Sequence, residues 1–433
     1  MTMTSIPIAR GRGGHKRQIT YQNLLDIVFS VWVFAGLMSV IEPSPYDFVA
    51  LLAIPMWFVG GFKIHRVQAL ILILWTIFLT CGFIALMPYW DAYDSRLYQL
   101  QTLYLIISVF CFTLYFGERT IHRAELCMKA YTFGAFVSAS VGVLAYFHLI
   151  PKPDLFVFEG GRAAGTFKDP NVFGSYLIPA IVFTFQDLLI GAGISRIFSF
   201  AAAGMMILGV LLSYSRGSWG TAIFAVLLLI FSSFVTADTA AKRRRIVIMT
   251  LFGLGAAILI LIVILSQDNI REFFFERATM HKYDEGSTGR FGNQLHSIPM
   301  LLERPWGFGP LRFRVIFDIE PHNSYIGGFA NDGWLGGTAW ILIVLMTCFV
   351  GFRLMFVASP FRRLAQAVFP GLFALFLQAF QIDVDHWRQL YLFSGMIWGL
   401  EAARQRWRAR SAKTAAPPAD TAPMAATARE GYG

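Results

Sequence analysis

Apolar runs of about 18 or more residues recur along the chain, the length a helix needs to cross roughly 30 Å of hydrocarbon. A segment crossing a bilayer cannot leave its backbone amides unpaired, so such runs must be helices or barrel strands. Their length rules out strands. The composition agrees: 56% of the 433 residues are hydrophobic, with 42 Phe and 11 Trp, and the mean hydropathy is +0.57. The sequence therefore describes an all-α polytopic membrane protein with about twelve transmembrane helices.

The expected spans cover about 22–41, 46–62, 67–87, 97–116 and 130–150. A sixth starts at Asp169-Pro170-Asn171, a seventh covers about 196–213, and SYSRGSWG turns into an eighth. The rest cover about 246–265, 333–352 and 364–382, and the last ends near Leu400. The net charge of +10 would suit a nucleic-acid binder, but its placement argues against one. About 23 of the 36 Lys and Arg fall in segments placed inside, against about six in the five short outer loops, as the positive-inside rule requires. Arg10, Arg12, Lys16 and Arg17, then AKRRR, then Arg353, Arg362 and Arg363 mark the inner side, with both termini there. The first run lacks a small-residue cleavage site after its basic leader and reads as a helix, not a signal peptide. Cys81, Cys111, Cys127 and Cys348 show no CxxC pairing, so neither a disulfide framework nor a zinc site is expected. Residues 1–20 form a basic N-terminal segment, 21–402 the membrane domain, and 403–433 an inner tail whose Ala/Pro/Thr-rich part, 411–433, is expected to be disordered.

One long polar interval, Ser266–Gly337, interrupts the apolar runs, with its outer loop at 266–332 between spans nine and ten. REFFFERATMHKY reads as a short helix, either lying on the membrane surface through its Phe run or packed on the bundle. Thr288 is expected to cap a helix carrying Arg290, Gln294 and Met300, which ERPWGFGP breaks. PHNSY follows, with His322 and Asn323; Asn323 and Ser324 supply capping oxygens for the next helix. Arg216 sits between two apolar runs with almost no loop to lift it into water. It either snorkels to the headgroups or faces an internal polar cavity, and the cost of burying a cation at such depth favours the cavity. Arg162 and Lys168 bracket a glycine-rich turn. Arg162 there could meet an anionic group with little steric hindrance or be an ordinary loop cation, whereas Asp169 and Asn171 read as helix caps. His386 and Arg388, with Asp383 and Asp385, form a second outward group, read either as a salt-bridged lid or as a contact for substrate. Trp306, Tyr325, Trp334 and Trp387 are candidate surfaces on which sugars could stack.

The series RAAGTFKDPNVFGSYL, SYSRGSWG, STGRFGNQ…ERPWGFGP and PHNSYIGGFANDGWLGG, in that order and with that span count, resembles the O-antigen ligase superfamily. That group contains lipopolysaccharide O-antigen ligases and related polysaccharide polymerases. The resemblance covers about residues 20–402, and PHNSY before the GW-LGG helix is its most distinctive part. It implies a multi-spanning glycosyltransferase C-like fold in a bacterial inner membrane. It also implies transfer of a glycan from an undecaprenyl-diphosphate carrier on the periplasmic side, with no cofactor, metal or nucleotide sugar. The acceptor would be a lipid A-core sugar or a growing polysaccharide. Arg216, Arg290 and His322 match the essential arginines and histidine of that family; Arg162, Lys168, Asn323, Tyr325, His386 and Arg388 are candidate substrate-binding residues.

The chemistry of the residues points the same way. Breaking a bond to a lipid diphosphate develops negative charge, which arginines can hold in bidentate geometry. The attacking hydroxyl must lose a proton, and histidine titrates in the useful range. His322 could instead serve only the start of the following helix. The expected activity is glycan transfer, with ligation slightly favoured over polymerisation because the outer loop forms only a modest cover. A lipid or polysaccharide transporter is the competing class. It would need charged residues through the middle of the membrane or visible internal repeats, and the sequence shows neither strongly.

Overall fold

The computed structural model describes residues 20–190, 194–278 and 289–415. Within them the apolar runs form helices α1 (Tyr21–Ala35), α2 (Pro45–Val59), α3 (Arg66–Leu86), α4 (Tyr93–Tyr115) and α5 (Thr120–Tyr146). After a small hairpin come α6 (Pro170–Ile190), α7 (Ile194–Leu212), α8 (Arg216–Val235) and α9 (Ala240–Leu265). The polar interval holds α10 (Asp268–Ala278), α11 (Arg290–Leu302) and α12 (Phe313–Phe317), and the chain closes with α13 (Ser324–Phe356), α14 (Arg362–Gln378) and α15 (Arg388–Ala415). Seven of the described helices are long and apolar enough to cross a membrane, while α1, α2 and the apolar part of α7 are shorter. The membrane class rests most directly on α9. Leu251, Phe252, Leu259 and Ile262 along it are exposed, and its buried residues are Ile246 and Ile264, near its two ends. Such a surface suits contact with hydrocarbon.

Several boundaries differ from the sequence expectation, and each has a local cause. Asn323 Oδ1 accepts from the backbone N–H of Tyr325 at 3.0 Å and of Ile326 at 3.2 Å, the capping role expected of it, so α13 starts at Ser324, ahead of the span expected from about 333. Its first turns bury small residues, Gly327, Gly328 and Ala330, against their neighbours, and hydropathy does not see small residues. At Gly333 the backbone takes φ 72°, which kinks the helix. That conformation costs a glycine little, and a Cβ there would lie 2.4 Å from the carbonyl of Pro305. At the other end, α15 continues past Leu400 to Ala415 because Glu401, fully buried, binds Arg404 at 2.8 Å and also pairs with Arg353. The expected basic segment at 1–19, the cap Thr288, and the tail from 416 lie outside the described residues.

The helices approach each other closely where glycine permits it. Gly395 and Gly399, four residues apart on α15, lie on α4: a Cβ on them would fall 2.6 Å from Phe112 Cβ and 2.5 Å from Phe116 Cβ. Such spacing of small residues is how membrane helices bring backbones together. Aromatic side chains fill the rest of the centre, with Trp32 stacked on Phe112 at 4.6 Å and Trp75 packed between Trp340 and Tyr391. A buried charge needs a partner, and Asp26 of α1 has several, among them Arg119 at 2.8 Å, Arg123 at 2.9 Å and the Tyr115 hydroxyl at 3.1 Å. The one sheet among the described residues is a hairpin of β1 (Val157–Phe158) and β2 (Arg162–Ala163), with Phe158 opposite Arg162.

Candidate active site

The connection between α14 and α15, residues 379–387, ties the polar elements together. Its Gln381 carbonyl accepts from Nη1 of Arg290 at 2.9 Å. Two residues later, the Asp383 carboxylate accepts from the backbone N–H of His322 at 3.1 Å and of Asn323 at 3.0 Å. The same Oδ2 of Asp383 lies 3.6 Å from Nδ1 of His322. From the other side, the Ser324 backbone N–H donates to the carbonyl of Ala379 at 2.8 Å, and Gln294 of α11 donates to the carbonyl of Pro321 at 2.8 Å. His322 is thereby held with φ 47°, a left-handed conformation that side-chain-bearing residues seldom adopt. Strain of this kind persists only where the surroundings over-determine it, here through Asp383 and Gln294.

The arginines reach the same region by separate routes. Arg162, buried on β2, donates from Nε to the carbonyl of Ser213 at 2.9 Å and from Nη2 to Oδ1 of Asn171 at 2.9 Å. It thus locks the start of α6 to the turn before α8. Arg216 is the first residue of α8, capped by Ser215, whose side chain accepts from the Ser218 backbone N–H at 3.4 Å. Its neighbour Gly217 faces Gln381: a Cβ there would lie 3.4 Å from Gln381 Oε1. Arg290, the first residue of α11, lies over the ring of Phe291 at 4.7 Å. Gln381 therefore stands between the starts of α8 and α11. Helix N-termini carry unmet N–H groups and a partial positive charge. Those of α8, α11 and α13 all open beside this connection, so the arginines add full charges to a region already suited to an anion.

Helix α10 covers this end. Phe273 meets Tyr214 edge to face at 4.4 Å and Phe274 stacks on Trp219 at 4.6 Å, while Phe275 is exposed. The packed reading of the Phe run thus describes two of its three rings.

The remaining candidates are placed differently. Asn323 is the cap of α13. The Tyr325 hydroxyl donates to the carbonyl of Phe376 at 2.8 Å and its ring packs on Phe380 at 4.3 Å, so it joins α13 to α14. Lys168 pairs with Glu42 at 3.2 Å on the surface. Arg388 donates to both oxygens of Asp47 at 3.1 Å and lies over Tyr46 at 4.8 Å, fastening α15 to α2. His386 turns inward, its ring stacked on Tyr98 at 4.1 Å and its Nε2 2.9 Å from the Thr102 hydroxyl. The outward group read from sequence is therefore divided: Asp383 faces His322, whereas His386 and Arg388 each bind another helix. Of the four aromatic candidates, Trp387 is buried and Trp334 donates to the carbonyl of Leu301 at 2.7 Å. Trp306, at 67% exposure, has the open surface a sugar needs.

Burial pushes the Asp383 carboxyl up to about 8, with the charges of Asp385 and Glu320 adding to the effect and the two backbone N–H donors opposing it. Burial likewise raises Glu320, offset by Arg314. His386 is lowered by burial, against the pull of Asp385. The raised Asp383 carboxyl beside His322 can thus hold a proton near neutrality, which is what a group exchanging protons with substrate requires. Among the described residues, no three His, Cys, Asp or Glu gather as a metal site would need. The sequence reading placed Asp383 in a separate group, apart from His322, and did not single out Gln381. Neither the protein-family models nor the curated proteins with which the chain was compared match it.

Proposed function

We propose that this protein transfers a glycan from an undecaprenyl-diphosphate carrier to a sugar hydroxyl at the outer face of a bacterial inner membrane, in the manner of an O-antigen ligase. The observation that carries the reading is the meeting of the Arg290 guanidinium, the start of α8 with Arg216, and the Asp383-bound His322 at one connection. In this reading α1–α9 and α13–α15 are the twelve spans, 266–332 is the periplasmic loop, and both termini are cytoplasmic.

The diphosphate lies against Arg216 and Arg290, with Arg162 shaping the turn that presents Arg216. The acceptor oxygen attacks the anomeric carbon as the bond from that carbon to the diphosphate oxygen breaks. The bonding pair leaves with the lipid diphosphate, whose added charge the arginines and helix N-termini stabilise. The hydroxyl proton passes to the His322–Asp383 pair and then to water. No step calls on a metal or a cofactor. The acceptor is a lipid A-core sugar in the ligase reading and a growing chain in the polymerase reading. The modest cover formed by the outer loop favours the first, since a polymerase must also grip its product.

Transporter chemistry finds less support, because buried charges such as Asp26–Arg123 and Glu401–Arg404 are closed into local ion pairs. The test is to incubate the purified protein with a lipid-diphosphate-linked glycan and candidate acceptors in the presence of a chelator. An extended acceptor with released lipid diphosphate is expected. Acceptors left unchanged while the lipid-linked glycan moves between leaflets of a vesicle would contradict the proposal.

A further inference from the structure

Behind the His322–Asp383 pair lies a second carboxylate that the chemistry above does not use. Asp385 follows Asp383 by two residues but turns into the bundle. Its Oδ2 accepts the hydroxyl of Tyr98 from α4 in a short hydrogen bond, and its Oδ1 lies 3.5 Å from the hydroxyl of Ser324 on α13. The Tyr98 hydroxyl in turn accepts from Nδ2 of Asn331 at 3.1 Å, and the Tyr391 hydroxyl of α15 donates to the backbone carbonyl of Asp385. The carboxylate is therefore held by Tyr98 of α4 beside the start of α13, and its backbone by α15, which turns it away from the site. His386 completes the brace. The Thr102 hydroxyl donates to the Tyr98 carbonyl at 3.1 Å, so the 2.9 Å contact with His386 places a hydrogen on Nε2 of the imidazole.

Ser324 links this carboxylate to the site. Its hydroxyl accepts from the Val384 N–H at 2.7 Å, between the two aspartates, and its own backbone begins the helix that follows His322. The titratable and charged groups facing Asp385 are Asp383, His386, Tyr98, Tyr391, Asp332 of α13 and Glu320; beyond Glu320 stands Arg314, 3.5 Å away and already bound to Asp94 at 2.8 Å. The acids outnumber the cations here. A fixed negative charge beside an acid or an imidazole makes it hold its proton more tightly.

We infer that Asp385 is a positioning residue whose fixed charge, held by Tyr98, sets the pH at which the His322–Asp383 pair gives up its proton. This rests on the reading of His322 as the proton acceptor, and the sign follows from charge. With Asp385 ionised the pair keeps its proton to higher pH; with the charge removed it releases the proton at lower pH. Asp385→Asn is the direct probe, because Asn has nearly the same shape and can still accept the Tyr98 hydrogen bond. Asp385→Ser, smaller and equally neutral, gives the same reading should the Asn variant not insert. Asp385→Glu keeps the charge.

The full-length protein in nanodiscs, with labelled histidine and the His322 signal assigned by its loss in His322→Asn, is titrated by NMR, and the pH–rate profile of transfer is recorded alongside. Asp385→Asn should lower both midpoints by about one pH unit, the size of shift that a nearby charge produces, and Asp385→Glu should return them toward wild type. Midpoints unmoved in Asp385→Asn and Asp385→Ser, or moved as far by Asp385→Glu, overturn the inference. A protein that shows the NMR shift but transfers no glycan supports the coupling and contradicts the transfer reading instead.

Discussion

Asp383 holds His322 at two points: one carboxylate oxygen accepts the histidine's backbone N–H at 3.1 Å and lies 3.6 Å from its Nδ1. The backbone bond fixes where the residue sits and the ring contact fixes how the imidazole turns. In Asp383→Asn a single carbonyl oxygen must serve the N–H groups of His322 and Asn323, which leaves one partly unmet at a cost of about 1–3 kcal/mol. Transfer should fall about 10²-fold, the lower end of what loss of a general base costs, with the affinity for donor changed less. Equal loss of donor binding and turnover would show that Asp383 only supports the fold.

His322 itself is best replaced by Asn, because φ 47° is a conformation that Asn tolerates better than most residues. His322→Asn should insert normally and lose transfer by about 10²–10⁴-fold, while still binding the lipid-linked donor. Full transfer in this variant would remove the imidazole from the mechanism.

Arg290→Lys and Arg216→Lys keep a positive charge but lose the planar fork. Each should weaken donor use at normal expression. The Arg290 change should cost more, since a lysine must choose between the Gln381 carbonyl and the diphosphate. Steady-state kinetics against donor concentration check this, and two fully active lysine variants would contradict bidentate binding.

The direction of the Asp383 shift gives the pH dependence. A base accepts a proton only when it has released its own, and the carboxyl stands at about 8. The second-order rate of transfer should therefore rise with pH and level off above about 8, the usual behaviour for a required base. A rate falling across that interval would assign the proton-donating role to the pair.

These expectations also show what the linear sequence could and could not reveal. Helices were legible because burial in hydrocarbon imposes long apolar runs, as in α9 and the later part of α13. The cap of α13 at Asn323 was legible too, but its first turns did not read as part of the span, because Gly327, Gly328 and Ala330 pack by being small. Arg290 and His322 stood out as polar groups in an interval next to the membrane. Their partners did not, since Gln381 lies 91 residues from Arg290 and Asp383 lies 61 from His322, and no local pattern encodes such a pairing. Arg388 shows the converse. It looked like a substrate contact beside His386, and its carboxylate partner Asp47 is 341 residues earlier in the chain.

The central claim is that one cluster binds a lipid diphosphate through arginine and transfers its glycan through His322. The most direct measurement is single-turnover transfer from an undecaprenyl-diphosphate-linked glycan in chelator, with donor binding measured in parallel, for wild type, Arg290→Lys and His322→Asn. The account predicts transfer by wild type, weakened binding in Arg290→Lys, and intact binding without transfer in His322→Asn. Donor binding unaffected by the arginine change, together with transfer unaffected by the histidine change, would contradict it.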